Sequence, residues 1–79
     1  MDTEHLAWVR GLCTSGQAQQ IRESAGVSRR EVARDADIAE PTVYRWEHGL
    51  RTPKGDAALR YAKVMRRLER LVKSQAVPA

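Results

Sequence analysis

The chain has 79 residues, a length that allows one domain with a modest hydrophobic core. Its 14 lysines and arginines exceed its 10 aspartates and glutamates, and the resulting charge of +4 fits a polyanionic partner. The single cysteine, Cys13, excludes an intrachain disulfide and a cysteine-based zinc site, and the acidic start argues against a secretory signal. We therefore expect one cytoplasmic domain over 1–79, with no cofactor, metal, small-molecule ligand or membrane segment.

Two short helices are predicted in the first third of the chain. The first covers 2–13, because its apolar residues recur at helical spacing: Leu6, Val9 and Cys13. The second covers 16–25, with Ser15 as its N-cap and Gly26 as the left-handed residue that ends it.

A capping-box pattern begins the third predicted helix. Ser28 is followed three residues later by Glu31, so each can hydrogen-bond to the backbone of the other. The helix continues through Ala36 and stops near Asp37, a residue type that tolerates a positive φ angle. A tight turn is therefore expected at this point.

The fourth predicted helix begins with Pro41 in its first turn and ends at Gly49. Its apolar positions are Val43, Trp46 and, at the far end, Leu50. Two short helices joined by a turn of three or four residues, over about 29–47, predict a helix-turn-helix.

A loop over 50–55 and an N-cap at Asp56 lead into a long last helix over 57–73, and the tail 74–79 is expected to fray. The predicted apolar stripe of this helix is Leu59, Ala62, Met65 or Arg66, Leu68 and Val72, widened by Tyr61, Val64 and Leu71. Its basic residues are Arg60, Lys63, Arg66, Arg67, Arg70 and Lys73. They form either a solvated face or a second electrostatic contact surface.

The segment from Ile21 to Pro53 resembles the phage repressor and Cro type of helix-turn-helix, the xenobiotic-response-element family. The positions that carry the resemblance are Arg22, Gly26, Ser28, Glu31, Ala33, Ile38, Thr42, Val43, Trp46, Glu47 and Gly49. The resemblance implies an all-α, lambda-repressor-like fold, which here has five helices including an extra N-terminal one. It also implies a transcriptional regulator, encoded by a phage or mobile element, that binds operator DNA in the major groove.

The resemblance also assigns roles to individual residues. Glu40, Pro41 and Arg45 match positions that usually face base edges, and Thr42 and Tyr44, close by, are also expected to read bases. Arg29, His48 and Arg51 match phosphate-binding positions, and Ser28, Arg30 and Lys54 are also expected to bind phosphate. Arg22 and Glu47 match a buried ion pair, and the expected core anchors are Ile21, Val32, Ala33, Ile38, Val43, Trp46 and Leu59.

The sequence departs from the family pattern at the turn and at the start of the reading helix. Asp37 replaces the usual glycine, and Ala39 replaces the usual serine or threonine cap. Pro41 offers no side-chain hydrogen bond, so direct readout is expected to shift toward Arg45 and toward Glu40 accepting from cytosine. The extra N-terminal helix is expected to fill the place of the family's fifth helix.

Because one module gives little specificity, we expect a homodimer through the first or last helix. Two other functions use the same surface, namely an architectural or excision factor in phage recombination and an antitoxin-like protein-interaction module. An enzyme is not expected, because no nucleophile, base and orienting residue stand at usable spacing and no phosphate-binding glycine loop is present.

Overall fold

The computed structural model describes residues 2–76, which form five α-helices and no β-strand. The helices are α1 (Asp2–Ser15), α2 (Gln17–Ser24), α3 (Arg29–Ala36), α4 (Glu40–Glu47) and α5 (Gly55–Ala76). The prediction of an all-α, five-helix fold is confirmed. Among the helices of this described range, none is long and apolar enough to cross a membrane.

Helix α5 is the scaffold against which α1, α2 and α3 pack, and α4 packs against α3 and α1. The extra helix α1 thus contributes to the same core as the helix-turn-helix. The buried apolar residues are Val9, Leu12, Cys13, Ala18, Val32, Ala33, Ala36, Val43, Trp46, Ala58, Tyr61, Ala62, Val64 and Met65.

The predicted apolar stripe of α5 is buried at Tyr61, Ala62, Val64 and Met65, so the prediction is confirmed at these positions. It is wrong at Leu59, which was expected as a core anchor and is only half-buried, whereas its neighbour Ala58 is completely buried. The covered face of α5 is the one against which α1, α2 and α3 pack. Tyr61 on this face meets the ring of Trp46 edge-on, with 5.1 Å between ring centroids.

Two predicted N-caps are wrong. Ser15 lies inside α1, where its hydroxyl donates a 3.3 Å hydrogen bond to the carbonyl of Leu12. The junction to α2 is made by Gly16, whose φ of 81° is a left-handed conformation that glycine adopts without strain. Helix α5 begins at Gly55, so Asp56 lies in its first turn. There its negative charge interacts favourably with the positive end of the helix dipole.

Two further expectations at helix ends also change. Leu50 is 63% exposed, because the left-handed Gly49 ends α4 and turns the chain away from the core. The expected frayed tail is helical over 74–76, and its remaining residues, 77–79, lie outside the described residues.

Candidate nucleic-acid interface

The N-terminus of α3 is fixed by a reciprocal capping box. The hydroxyl of Ser28 accepts from the N–H of Glu31 at 3.0 Å, and the Ser28 N–H donates to the Glu31 carboxylate at 2.9 Å. These hydrogen bonds favour the charged carboxylate and hold the pKa of Glu31 below its usual value. The start of α3 is therefore well defined.

The turn between α3 and α4 is closed by Asp37, which has a φ of 56° and a ψ of 52°. The Ile38 N–H donates to the carbonyl of Ala33 at 2.9 Å. This hydrogen bond is typical of helices whose C-terminus is followed by a residue in the left-handed conformation. From α5, the guanidinium of Arg60 donates to the carbonyls of Ala36 at 2.9 Å and Asp37 at 3.3 Å. Aspartate thus replaces the family's glycine in a turn that α5 also braces.

Helix α4 begins without a side-chain cap. Ala39 is its N-cap residue and offers no side-chain acceptor, as the sequence indicated. Pro41 lies in the first turn, where backbone N–H groups have no acceptor within the helix. Because proline has no N–H, it adds no unsatisfied donor there. Proline therefore suits the structure of α4 at a position where it contributes no side-chain hydrogen bond.

The inner face of α4 is almost completely removed from solvent. Val43, Trp46 and Glu47 are 0%, 5% and 4% exposed. The two apolar side chains contact the core directly, as predicted for anchors. Glu47 brings a negative charge into the same environment, and such a charge requires a partner.

Arg22 of α2 is that partner. Its Nε and Nη2 donate to the two carboxylate oxygens of Glu47, the second at 3.2 Å, and its Nη1 donates to the carbonyl of Val27 at 2.9 Å. The two side chains are only 8% and 1% exposed. This two-pronged ion pair links α2, the segment before α3, and α4 in one rigid unit.

The outer face of α4 contains the predicted base readers. Glu40, Pro41, Tyr44 and Arg45 are all exposed, and Thr42 is half-buried at the edge. Residues four apart lie together on a helix, so Glu40 with Tyr44, and Pro41 with Arg45, form one continuous surface. The structure thus brings four of the predicted readers together on the exposed surface of α4, whereas Thr42 lies beside Trp46 in a shallow groove.

A small cluster of stacked side chains flanks this surface. The rings of Tyr44 and His48 have centroids 4.2 Å apart, and the Arg29 guanidinium lies 5.2 Å from the centre of the Tyr44 ring. Arg29 is also 3.5 Å from a carboxylate oxygen of Glu47. Arg29, predicted to bind phosphate, is therefore also part of the internal network that orients α4.

The other predicted phosphate-binding residues lie at two places around α4. Ser28 and Arg30 are exposed at the start of α3, although the Ser28 N–H is already occupied by Glu31. Arg51 and Lys54 are exposed in the loop after α4, where they line a shallow groove together with Thr42, Trp46 and Thr52. Exposed cations are therefore present both at the start of α3 and in the loop after α4.

Sequence reasoning missed the packing of Tyr44 against His48 and the bracing of the turn by Arg60. The four-residue spacing of Tyr44 and His48 was a usable signal, because aromatic side chains at that spacing meet on a helix. Nothing in the sequence signalled Arg60, since its partners are carbonyls of a turn 23 and 24 residues away in the chain.

A second buried polar site lies beside the interface scaffold. Burial raises the pKa of the Cys13 thiol to about 11 and also raises the pKa of Tyr61. The Tyr61 hydroxyl is buried and has no hydrogen-bond partner among residues 2–76. The same residues contain no group of three or more metal-ligating side chains. Cys13 therefore acts as a small apolar residue of the core.

Comparison with protein families gives one match, to a helix-turn-helix family model, over residues 19–71. The matched region covers about two thirds of the chain and includes α3, the turn and α4. A search of curated proteins and a search of solved structures returned no significant match.

Proposed function

The chain belongs to the Cro/C1-type, xenobiotic-response-element-like helix-turn-helix family, and from this premise we propose that it is a repressor/Cro-like regulator that binds an operator sequence-specifically as a homodimer. Binding of double-stranded DNA and regulation of transcription follow from the family. Its place in the cytoplasm, its mode of regulation and an origin in a phage or mobile element are parts of the proposal.

The observation that supports this proposal is the division of α4 into two faces. Val43, Trp46 and Glu47 hold one face against the protein, while Tyr44 and Arg45 remain exposed on the other. A reading helix needs this division, because its exposed side chains must enter a groove about 12 Å wide without unfolding the domain.

Individual roles follow from the chemistry of the exposed side chains. Arg45 is assigned to a guanine, because its guanidinium can donate two hydrogen bonds to O6 and N7. Glu40 is assigned to the exocyclic amine of a cytosine. Arg30, Arg51 and Lys54 are assigned to phosphates on either side, where they add affinity without sequence preference.

The proposed homodimer places two copies of α4 about 34 Å apart, one turn of DNA, on a site with twofold symmetry. Selection of bound duplexes from a random pool tests function and symmetry together. A palindromic consensus with half-sites about one turn apart is expected. An asymmetric consensus would rule out the symmetric dimer, and recovery of no consensus would rule out sequence-specific binding.

Salt dependence separates this function from that of an antitoxin-like protein module. Binding through six or more phosphates should weaken by roughly a thousandfold or more between 50 and 200 mM salt. A protein–protein contact made by the same surface would not show this steep dependence. An affinity for the selected duplex that stays constant over this range would contradict the assigned phosphate contacts.

A further inference from the structure

The solvent side of α5 carries a second concentration of positive charge, apart from the cations around α4. We call it the basic α5 face, and its residues are Arg60, Lys63, Arg66, Arg67 and Arg70. Four of these residues line a shallow groove together with His5 of α1.

The basic α5 face and the outer face of α4 point in opposite directions. Tyr61, on the inner side of α5, contacts Trp46, on the inner side of α4. Lys63 follows Tyr61 by two residues, so at 100° per residue it lies nearly opposite on α5. By the same geometry Tyr44 lies nearly opposite Trp46 on α4. The rings of Tyr61 and Trp46 therefore lie between the basic α5 face and the outer face of α4. One straight duplex cannot lie along both surfaces at the same time.

Part of the charge on this face is balanced within the protein, and part is not. Arg67 lies 2.9 Å from the carboxylate of Asp35, and Arg66 lies 4.0 Å from Glu69. Lys63 and Arg70 are exposed and have no carboxylate within 4.0 Å in the described part of the chain. These two residues mark the centre of the uncompensated charge.

The groove side of the face is ordered by a stacking contact. The guanidinium of Arg66 lies 3.7 Å from the centre of the Trp8 ring. This contact joins α1 to α5 and uses the aromatic surface of Trp8, which is half-buried. Stacking leaves the charge of Arg66 in place, so the cation still contributes to the field of the basic α5 face.

The composition of this face favours a phosphate backbone over a protein surface. Protein interfaces usually centre on a buried apolar or aromatic cluster. The exposed large apolar residues among residues 2–76 are Tyr44, Leu50 and Leu71, and none lines the groove. Interfaces with DNA are more polar and far more positively charged.

We propose that the basic α5 face binds the phosphate backbone of a second DNA segment, without sequence preference, while α4 occupies the operator. The protein then joins two segments of double-stranded DNA. The inference rests on the proposed function, because the first segment is the operator bound by α4.

The dimensions agree with such a contact. From Arg60 to Arg70 the helix rises about 15 Å at 1.5 Å per residue. Each strand of duplex DNA carries one negative charge per about 3.4 Å of the helix axis, so one parallel backbone presents roughly four charges over this length. A straight row of cations on one helix can follow a phosphate strand without any distortion of the protein.

A two-duplex capture assay with the full chain tests the proposal. A selected operator duplex is fixed to beads, protein is added at 50 mM salt, and a labelled 30-base-pair duplex of random sequence is offered. Wild-type protein should retain the label. The double variant Lys63→Gln with Arg70→Gln should lose at least nine tenths of it, while its affinity for the operator alone changes less than twofold.

The matched control is Arg34→Gln, compared with the single variant Arg70→Gln, because it removes the same charge from an exposed position outside α5. It should retain the label as wild type does. Measured from 50 to 200 mM salt, the logarithmic slope of label retention should be flatter by about 2 in the Lys63/Arg70 variant, because two phosphate contacts are lost.

Three results would overturn the proposal. The first is operator binding by wild type without retention of label, which would leave the proposed function intact. The second is undiminished retention by the Lys63/Arg70 variant, which would locate the second contact elsewhere, including a second helix-turn-helix of a dimer. The third is loss of operator affinity in that variant, which would place α5 on the operator itself. Failure of wild type to bind any duplex would instead refute the proposed function.

Discussion

The inner and outer faces of α4 differ in how their charged groups are satisfied. On the inner face, Glu47 is bound at both oxygens by Arg22 and is also approached by Arg29. On the outer face, the side chain of Arg45 is exposed and makes no hydrogen bond or ion pair with the other residues described. One helix of eight residues thus combines a satisfied buried charge with an available exposed one.

Within α4, the inner face therefore serves folding and the outer face serves recognition of DNA. A substitution on the inner face should affect stability first, because it disturbs the packing and charge balance of the core. Substitution of Arg45 on the outer face should affect DNA binding first, because its side chain makes no hydrogen bond or ion pair within the described residues.

Glu47→Ala should lower the free energy of unfolding by about 3–5 kcal/mol, because it leaves the buried guanidinium of Arg22 without its counter-charge. Urea unfolding followed by circular dichroism measures the change. For a protein of this size such a loss approaches the total stability, so partial unfolding at room temperature is also expected.

A double substitution shows whether the stability lost in Glu47→Ala comes from the unpaired charge of Arg22 or from the lost side-chain volume. Arg22→Met together with Glu47→Leu removes both charges and retains most of the volume, so much of the lost stability should return. A double variant as unstable as Glu47→Ala would mean that the hydrogen bond from Arg22 to Val27 is essential in its own right.

Arg45→Ala should cost about 1–3 kcal/mol of binding energy at the operator and relax the preference at one base pair. Fluorescence anisotropy on the operator and on single-base variants measures both quantities. The melting temperature should stay unchanged, because Arg45 is exposed.

Arg30→Ala is the matched control for that experiment, since it removes an equal charge from a predicted phosphate contact. It should weaken binding equally on all duplexes and flatten the salt slope by about 1. Should Arg45→Ala behave in the same uniform way, Arg45 would be a phosphate contact and the outer face would lack its main base reader.

The contrast between the two faces also explains how much of the fold the sequence could predict. Local signals were sufficient for the capping box at Ser28 and Glu31 and for the left-handed Asp37, because both depend on neighbouring residues. The apolar spacing of α5 also predicted most of its core side, including Tyr61 and Met65. It could not predict that Ala58 is buried and Leu59 only half-buried, because the helices packed against α5 decide where its covered face ends.

The candidate site divides in the same way. The family resemblance led to Arg22 and Glu47, which lie 25 residues apart and whose contact no local pattern indicates. The resemblance predicted that Arg29 binds phosphate, but it did not predict the contacts of Arg29 with Glu47 and Tyr44. These contacts depend on how α3 packs against α4. Base-reading and phosphate-binding roles remain predictions, because they concern a partner outside the chain.

Tyr61→Phe tests the effect of a buried polar group inside the core. The Tyr61 hydroxyl is buried near the Cys13 thiol and has no hydrogen-bond partner in residues 2–76, the opposite of the satisfied Glu47. Its removal should raise the free energy of unfolding by about 1 kcal/mol and the melting temperature by about 4–8 °C. A lower melting temperature would show that the hydroxyl is bonded, and operator affinity should not change in either case.

The smallest effect is expected at Glu31, where the capping box supports the start of α3 next to Arg29 and Arg30. Folding lowers the pKa of Glu31 from its usual value of 4.5, through hydrogen bonds from Ser28. A carboxylate with a lowered pKa stabilises the fold fully above its unfolded pKa and loses that contribution as the pH falls through the folded value.

Glu31→Gln keeps the hydrogen bond to the Ser28 N–H but not the charge, so it should be less stable than wild type at pH 7. Urea unfolding at pH 7, 5, 4 and 3 should show this difference shrinking below about pH 4.5, since the other acidic groups titrate equally in both proteins. A difference as large at pH 3 as at pH 7 would mean that the shape of the side chain, and not its charge, holds the start of α3.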